Sequence, residues 1–177
     1  INIEHVRSGF KSKKMANSYK ELLDKRTKGK ENLKAMMRNS LHLGTSDSIS
    51  DADIRRYEAV QRQNGQCLYC GSEITYHTCE LDHIVPRKGP GSTNTRENLV
   101  ATCSLCNAQK CNTPFSTWCE QSTYCKNHDI SVDSAINRVR AFIFPPNSYD
   151  KRGANQFKKE VICLLYTSPS PRDLSTS

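Results

Sequence analysis

The chain is 177 residues long, enough for one domain of ordinary size with extensions and short for two independent cores. An apolar fraction of 36% and a mean hydropathy of -0.70 point to exposed arms beside a modest core, and no apolar run is long enough for a membrane-spanning helix. The net charge of +8 excludes an acidic protein and is concentrated in one arm: between Val6 and Ser40 eleven Lys and Arg face Glu21, Asp24 and Glu31, and the rest of the chain carries fifteen of each sign.

Such a basic block suits a polyanionic partner, because cations that neutralise phosphates release condensed counterions. Taken alone, a charge run reads more readily as a solvated helix face. Nine cysteines could form a disulfide scaffold, but the count is odd and four of them fall into two C-x-x-C pairs, which favours metal and a reducing compartment, the cytoplasm. The chain opens on Ile1 with no initiating Met and no signal peptide, and it reads as a fragment of a longer frame.

In chain order, Ile1 to Val6 alternates like the end of a strand. From Lys13 to Met37, apolar residues at Met15, Tyr19, Leu22 and Leu23 and then at Leu33, Met36 and Met37 predict two basic amphipathic helices or one helix broken at Thr27-Lys28-Gly29-Lys30. Leu43 to Ser50 reads as a linker. Ser50 and Asp53 form an acidic version of a capping box, opening a helix through Ile54, Tyr57 and Val60 that Gly65 can end. Strands are expected near Glu80 to Val85 and Leu99 to Thr102, joined by a loop from Pro86 to Arg96, with a helix beginning near Cys106. The pattern weakens after Trp118. Helical spacing returns from Val132 to Phe142 until Pro145-Pro146, and a last helix is expected from about Lys151 to Ile162. The fold class is α+β.

Cys67 and Cys70 with Cys103 and Cys106 make the four-sulfur set that a structural zinc prefers. The residues between these pairs carry different chemistry. Phosphodiester hydrolysis needs an activated water, neutralised phosphate charge and help for the leaving oxygen, which one divalent metal and one histidine can supply. A histidine titrates near neutrality, which suits His83 as a general base. Asp82 offers an anionic oxygen and Asn107 an amide oxygen, ligands suited to magnesium, whereas the thiolates suit the softer zinc. Asp82 and His83 are neighbours that a regular strand would point to opposite faces, so a bulge or a strand end must bring both inward. Asn98 is expected to hydrogen-bond across the loop and hold the backbone of His83. Arg87, Lys88, Arg96 and Lys110 are candidate phosphate contacts, each as readily a solvated charge. Cys119, Cys125 and His128 are one ligand short of a metal site and read as buried or free thiols. Cys79 and Cys111 flank the knuckles without an assigned role.

Asp82-His83, Asn98 and Asn107 together resemble the three elements of the HNH, or ββα-metal, nucleases. That resemblance implies a ββα core on the zinc site, with Asp82 and Asn107 as ligands of the catalytic metal and His83 as the base. The flanking I-E-H-V-R-S-G-F, L-D-H-I-V-P-R-K-G-P-G-S-T-N-T-R-E-N-L-V-A and N-T-P-F-S-T-W are similar to the type II CRISPR-associated RNA-guided DNA endonucleases, of the compact II-C subgroup. The resemblance implies a RuvC-like strand end at residues 1–6 with Glu4 as a magnesium ligand whose partner carboxylates lie elsewhere in the parent. It also implies a basic helical linker at 7–50, the nuclease domain at 51–127 and a helical exit linker at 128–162. The expected partners are DNA and, through the rest of the parent enzyme, guide RNA, with the domain acting as a monomer and without a membrane. Residues 163–177 read as a non-native tail, because Cys163 to Asp173 resembles a translated sequencing adapter. A free-standing HNH endonuclease and a non-catalytic zinc ribbon are the competing readings.

Overall fold

The computed structural model describes residues 13–89, 92, 94–142 and 151–167. Glu4 and the strand end at residues 1–6, Pro145-Pro146, and the tail from residue 168 onward lie outside the described residues. The chain divides into two compact units, Ile1–Ile49 and Ser50–Ser177.

Among the described residues of the first unit, one helix, α1, runs from Lys13–Leu41 without the interruption expected near Gly29. Gly costs a helix interior only about 1 kcal/mol, and its neighbours are good helix formers. Thr27 directs its hydroxyl to the Leu23 carbonyl at 3.0 Å, and Lys34 pairs with Glu31 at 2.9 Å. The helix ends where His42 takes a left-handed φ of 53° and the Leu43 amide reaches back to the Arg38 carbonyl.

The second unit opens with α2 (Asp51–Arg62). Its first turn carries the reciprocal cap read from the sequence: Ser50 accepts from the Asp53 amide and Asp53 accepts from the Ser50 amide. Two strands follow, β1 (Cys79–His83) and β2 (Leu99–Cys103), paired antiparallel from Cys79 opposite Cys103 to His83 opposite Leu99. A short helix, α3 (Ser104–Lys110), leaves β2 directly and completes a ββα unit. It starts two residues before the expected Cys106, because the Cys103 sulfur caps it by accepting from the Cys106 amide.

A two-stranded sheet leaves an edge of unpaired backbone groups. Here the end of α2 supplies the missing partners from side chains. Arg62, 1% exposed, donates to the carbonyls of Arg96 and Leu99, and Gln63 both donates to and accepts from the backbone of Ala101. The sheet is thereby sealed by two polar side chains that the sequence pattern of α2 does not distinguish from surface residues.

Among the described residues four further helices wrap this unit: α4 (Phe115–Gln121), α5 (Thr123–Asn127), α6 (Val132–Ala141) and α7 (Lys151–Thr167). Phe115, Trp118, Ala135, Ile136, Val139 and Phe142 join Leu68, Tyr69, Val100 and Ala101 in one core. The last helix extends beyond the expected Ile162 to Thr167, and Leu165, from the segment read as a tail, is buried in the same core with Phe157 and Val161. Phe157 also lies 4.3 Å beneath the Arg62 guanidinium, which ties α7 to the residue that seals the sheet.

Candidate active site and four-cysteine centre

The four cysteines expected to bind zinc converge. The sulfurs of Cys67, Cys70, Cys103 and Cys106 lie within 4.8 Å of one another, and those of Cys70 and Cys103 are 3.8 Å apart. Four sulfurs at about 2.3 Å from a tetrahedral zinc would be separated by about 3.8 Å, so the cluster has the dimensions of a tetrathiolate site. Its electrostatics agree. Donors from Cys106 and Cys67 pull the Cys70 thiol far below its ordinary range, whereas the Cys106 thiol, which shares its proton with Cys67 and Cys70, is pushed far up. One sulfur ionises at the expense of its neighbours, and ionising all four together calls for a cation among them. Each of the nine cysteines is free of disulfide bonds.

The Cys67–Cys70 knuckle also reaches the second cluster. Tyr69, fully buried and stacked on Phe115 with ring centroids 4.4 Å apart, donates its hydroxyl to Asp82 Oδ2 at 2.6 Å. Burial, reinforced by the Asp82 carboxylate, holds the Tyr69 phenol well above its usual pKa, so it stays a donor. Lys110, at the end of α3, places Nζ 2.8 Å from the same oxygen and 2.9 Å from the His83 carbonyl. Two donors therefore fix Asp82 Oδ2, and among the described residues Oδ1 carries no hydrogen bond.

Asp82, His83, Asn94 and Asn107 line one cleft of about 550 Å³ with Arg55 and Arg87 at its walls. The pairing of β1 with β2 is regular to its last residue, so the strand end, not a bulge, lets neighbouring Asp82 and His83 share the cleft. Each is 8% exposed. His83 Nε2 lies 2.9 Å from Asn94 Oδ1. Since that oxygen can only accept, Nε2 carries the proton and Nδ1 is the basic nitrogen. Asn107 donates its amide to Glu80 Oε2, which leaves the Asn107 oxygen available as a ligand. A carboxylate oxygen and an amide oxygen without hydrogen-bond donors, opening on one cleft, fit a hard divalent cation.

Asn98 bridges the loop as expected, but on Val85 instead of His83. Its Oδ1 accepts from the Val85 amide at 2.8 Å and its Nδ2 donates to the Val85 carbonyl at 3.1 Å. The His83 backbone is held by Lys110 instead. This places Lys110 differently from the sequence reading: a fully buried ammonium engaged by Asp82 and a carbonyl is not presented to phosphates. Arg96 is also engaged, by Glu97 at 3.0 Å and Glu58 at 3.7 Å. Arg87 and Lys88 are exposed. Tyr69, Glu80, Asn94 and Arg55 do not stand out in the sequence. Tyr69 lies between two metal-type cysteines and Glu80 stands two residues before Asp82 on the same strand face, which are the signals that point to them.

Residues 67–113 match the HNH endonuclease family. The chain is 42% identical over 165 residues to the CRISPR-associated endonuclease Cas9 of Actinomyces naeslundii, covering 93% of this chain and 14% of that protein. It is 46% identical over 143 residues to that of Corynebacterium diphtheriae, covering 81% of this chain and 13% of that protein. The crystal structure of the type II-C Cas9 enzyme from Actinomyces naeslundii matches with a TM-score of 0.77 at 39% identity, over 92% of this chain and 18% of that one. The chain thus carries an HNH endonuclease domain, built on the ββα unit and the four cysteines, within a segment similar on both sides of that domain to type II-C Cas9.

Proposed function

We propose that this chain is the HNH-bearing part of an RNA-guided DNA endonuclease, and that it hydrolyses phosphodiester bonds in the guide-paired DNA strand, leaving a 5′ phosphate and a 3′ hydroxyl. The observation that carries this reading is the convergence of Asp82, His83 and Asn107 on one cleft. Similarity to Cas9 on both sides of the domain supports guide dependence over a free-standing nuclease.

Asp82 and Asn107 would hold magnesium, which when bound neutralises the scissile phosphate and the departing 3′ oxygen. His83 takes a proton from the attacking water at Nδ1, while Asn94 holds its Nε2–H and so keeps the ring turned. Tyr69 and Lys110 hold Asp82 at one oxygen so that the other is presented to the cleft. Arg87 and Lys88, exposed beside the cleft, are the phosphate contacts of this proposal. The four cysteines would hold zinc as a structural ion, which implies a reducing compartment such as the cytoplasm. Residues 1–6, with Glu4, are proposed as part of a RuvC-like segment, and residues 7–50 as the arm that enters the domain.

The test is a nicking assay on zinc-loaded chain with magnesium and plasmid DNA, beside His83→Ala. If the chain is a guided domain, unguided cutting is negligible, and the same segment inside its parent enzyme cuts the guide-paired strand only when His83 is intact. Robust unguided cutting that depends on His83 would favour a free-standing nuclease, and guided cutting that survives His83→Ala would remove His83 as the base.

A further inference from the structure

Arg138 lies on α6, in the stretch expected to be an exit linker, yet its guanidinium is spent on the first cysteine knuckle. Nε donates to the Leu68 carbonyl at 2.7 Å and Nη2 donates to the Tyr69 carbonyl, with Ser134 Oγ 3.2 Å from the same nitrogen. Leu68 and Tyr69 are the two residues between Cys67 and Cys70. Gly71, next in the chain, has a φ of +76°, and a Cβ there would lie 3.4 Å from the Arg138 side chain, so the knuckle turns directly against the guanidinium.

A divalent ion with four thiolates carries a net charge of about −2, and burying that charge is costly unless hydrogen bonds and counter-charges surround it. Arginine suits both needs: its planar fork reaches two carbonyls at once and it cannot lose its proton. Resting on the zinc reading of the four cysteines, we infer that Arg138 is a positioning residue of this metal centre. Its fork fixes the backbone that carries Cys67 and Cys70, and its charge offsets part of the tetrathiolate's. The segment from Ser131 to Phe142 is then the outer shell of the metal site and not a spacer leading away from it. A second consequence concerns the cleft. Tyr69, whose carbonyl Arg138 holds, is the residue whose hydroxyl holds Asp82, so the clamp acts on the same residue that supports the catalytic carboxylate.

The test compares the full chain with Arg138→Lys and Arg138→Gln, measuring zinc affinity by competition with a chromophoric chelator and folding by circular dichroism. Loss of an outer-shell partner typically weakens metal binding by about 10–100-fold, and Arg138→Gln is expected in that range. Arg138→Lys, which keeps the charge and loses the fork, is expected between it and the wild type. Affinities within about twofold of wild type in both variants would overturn the inference. If Arg138→Gln does not fold with zinc present, Arg138→Lys decides by the same criterion. A wild-type chain that takes up no zinc would overturn the metal reading itself, a distinct result.

Discussion

Lys110 and Asp82 offer the sharpest test of how the site is held. Their charged atoms are 2.8 Å apart, with side chains 0% and 10% exposed. At an effective dielectric constant of about 20, charges at that distance attract by roughly 6 kcal/mol, and desolvation removes several of these. Breaking such a pair from one side leaves a charge without its partner, which costs about 3–5 kcal/mol. Lys110→Met is therefore expected to lower the melting temperature of the zinc-loaded chain by about 6–20 °C. That single change also removes the bond to the His83 carbonyl, so it does not isolate the pair. A double-mutant cycle does, because Asp82→Asn keeps the shape and still accepts from Tyr69, and the His83 bond is lost equally in both Lys110→Met backgrounds. Urea unfolding of the four proteins should give a coupling of about 2–3 kcal/mol, little altered by salt because the pair is buried. A coupling below about 0.5 kcal/mol would refute the claim that Lys110 fixes Asp82.

Other outcomes follow from the same geometry. Cys67→Ser, or chelation of the wild type, should lower both zinc content and melting temperature, since structural zinc contributes directly to folding; unchanged values would sink the structural role of the four cysteines. The Ser50 hydroxyl, with the Ser50 amide, holds Asp53 below its ordinary pKa of 3.8. The cap's contribution is thus full above that value and is lost as pH falls through the lower folded-state pKa. Asp53→Asn should flatten the fall in urea midpoint as the pH drops below about 3.8, and a parallel pH profile would show the cap contributes nothing there. Replacing Lys13, Lys14, Lys20 and Lys25 by Gln should lower the slope of log affinity for duplex DNA against log salt by about 0.9 for each phosphate that these lysines neutralise, whereas an unaltered slope would make the arm an ordinary solvated face.

What the sequence shows and what it hides divide along the range of the interactions. The two cysteine pairs, Asp82-His83 and the Ser50–Asp53 cap are legible because their partners stand close in the chain or repeat at diagnostic spacing. Lys110 reads as a surface cation since nothing local says that its helix turns it beneath β1. Arg138 reads as a charge on an amphipathic helix, and its carbonyl partners are 69 and 70 residues away. Arg62 and Gln63 are similar, seal-forming groups that bond to backbone 34 to 38 residues on. Gly29 misleads in the opposite direction: one permissive residue within a run of helix formers lowers stability without ending the helix.

The paired hydrogen bonds of Asn98 to Val85 give the nuclease domain an adjustable seam. Both ends of the stretch from Val85 to Asn98 are pinned to each other by one side chain, and Ile84 adds a backbone bond from its amide to the Asn98 carbonyl. Closure of the stretch is thus settled at its base, and doubling the length of a flexible loop adds only about 0.6 kcal/mol of closure entropy. Additional sequence grafted near Arg87 and Lys88 should therefore leave β1 in register with β2, so that its cost falls on the phosphate contacts and not on the ββα frame.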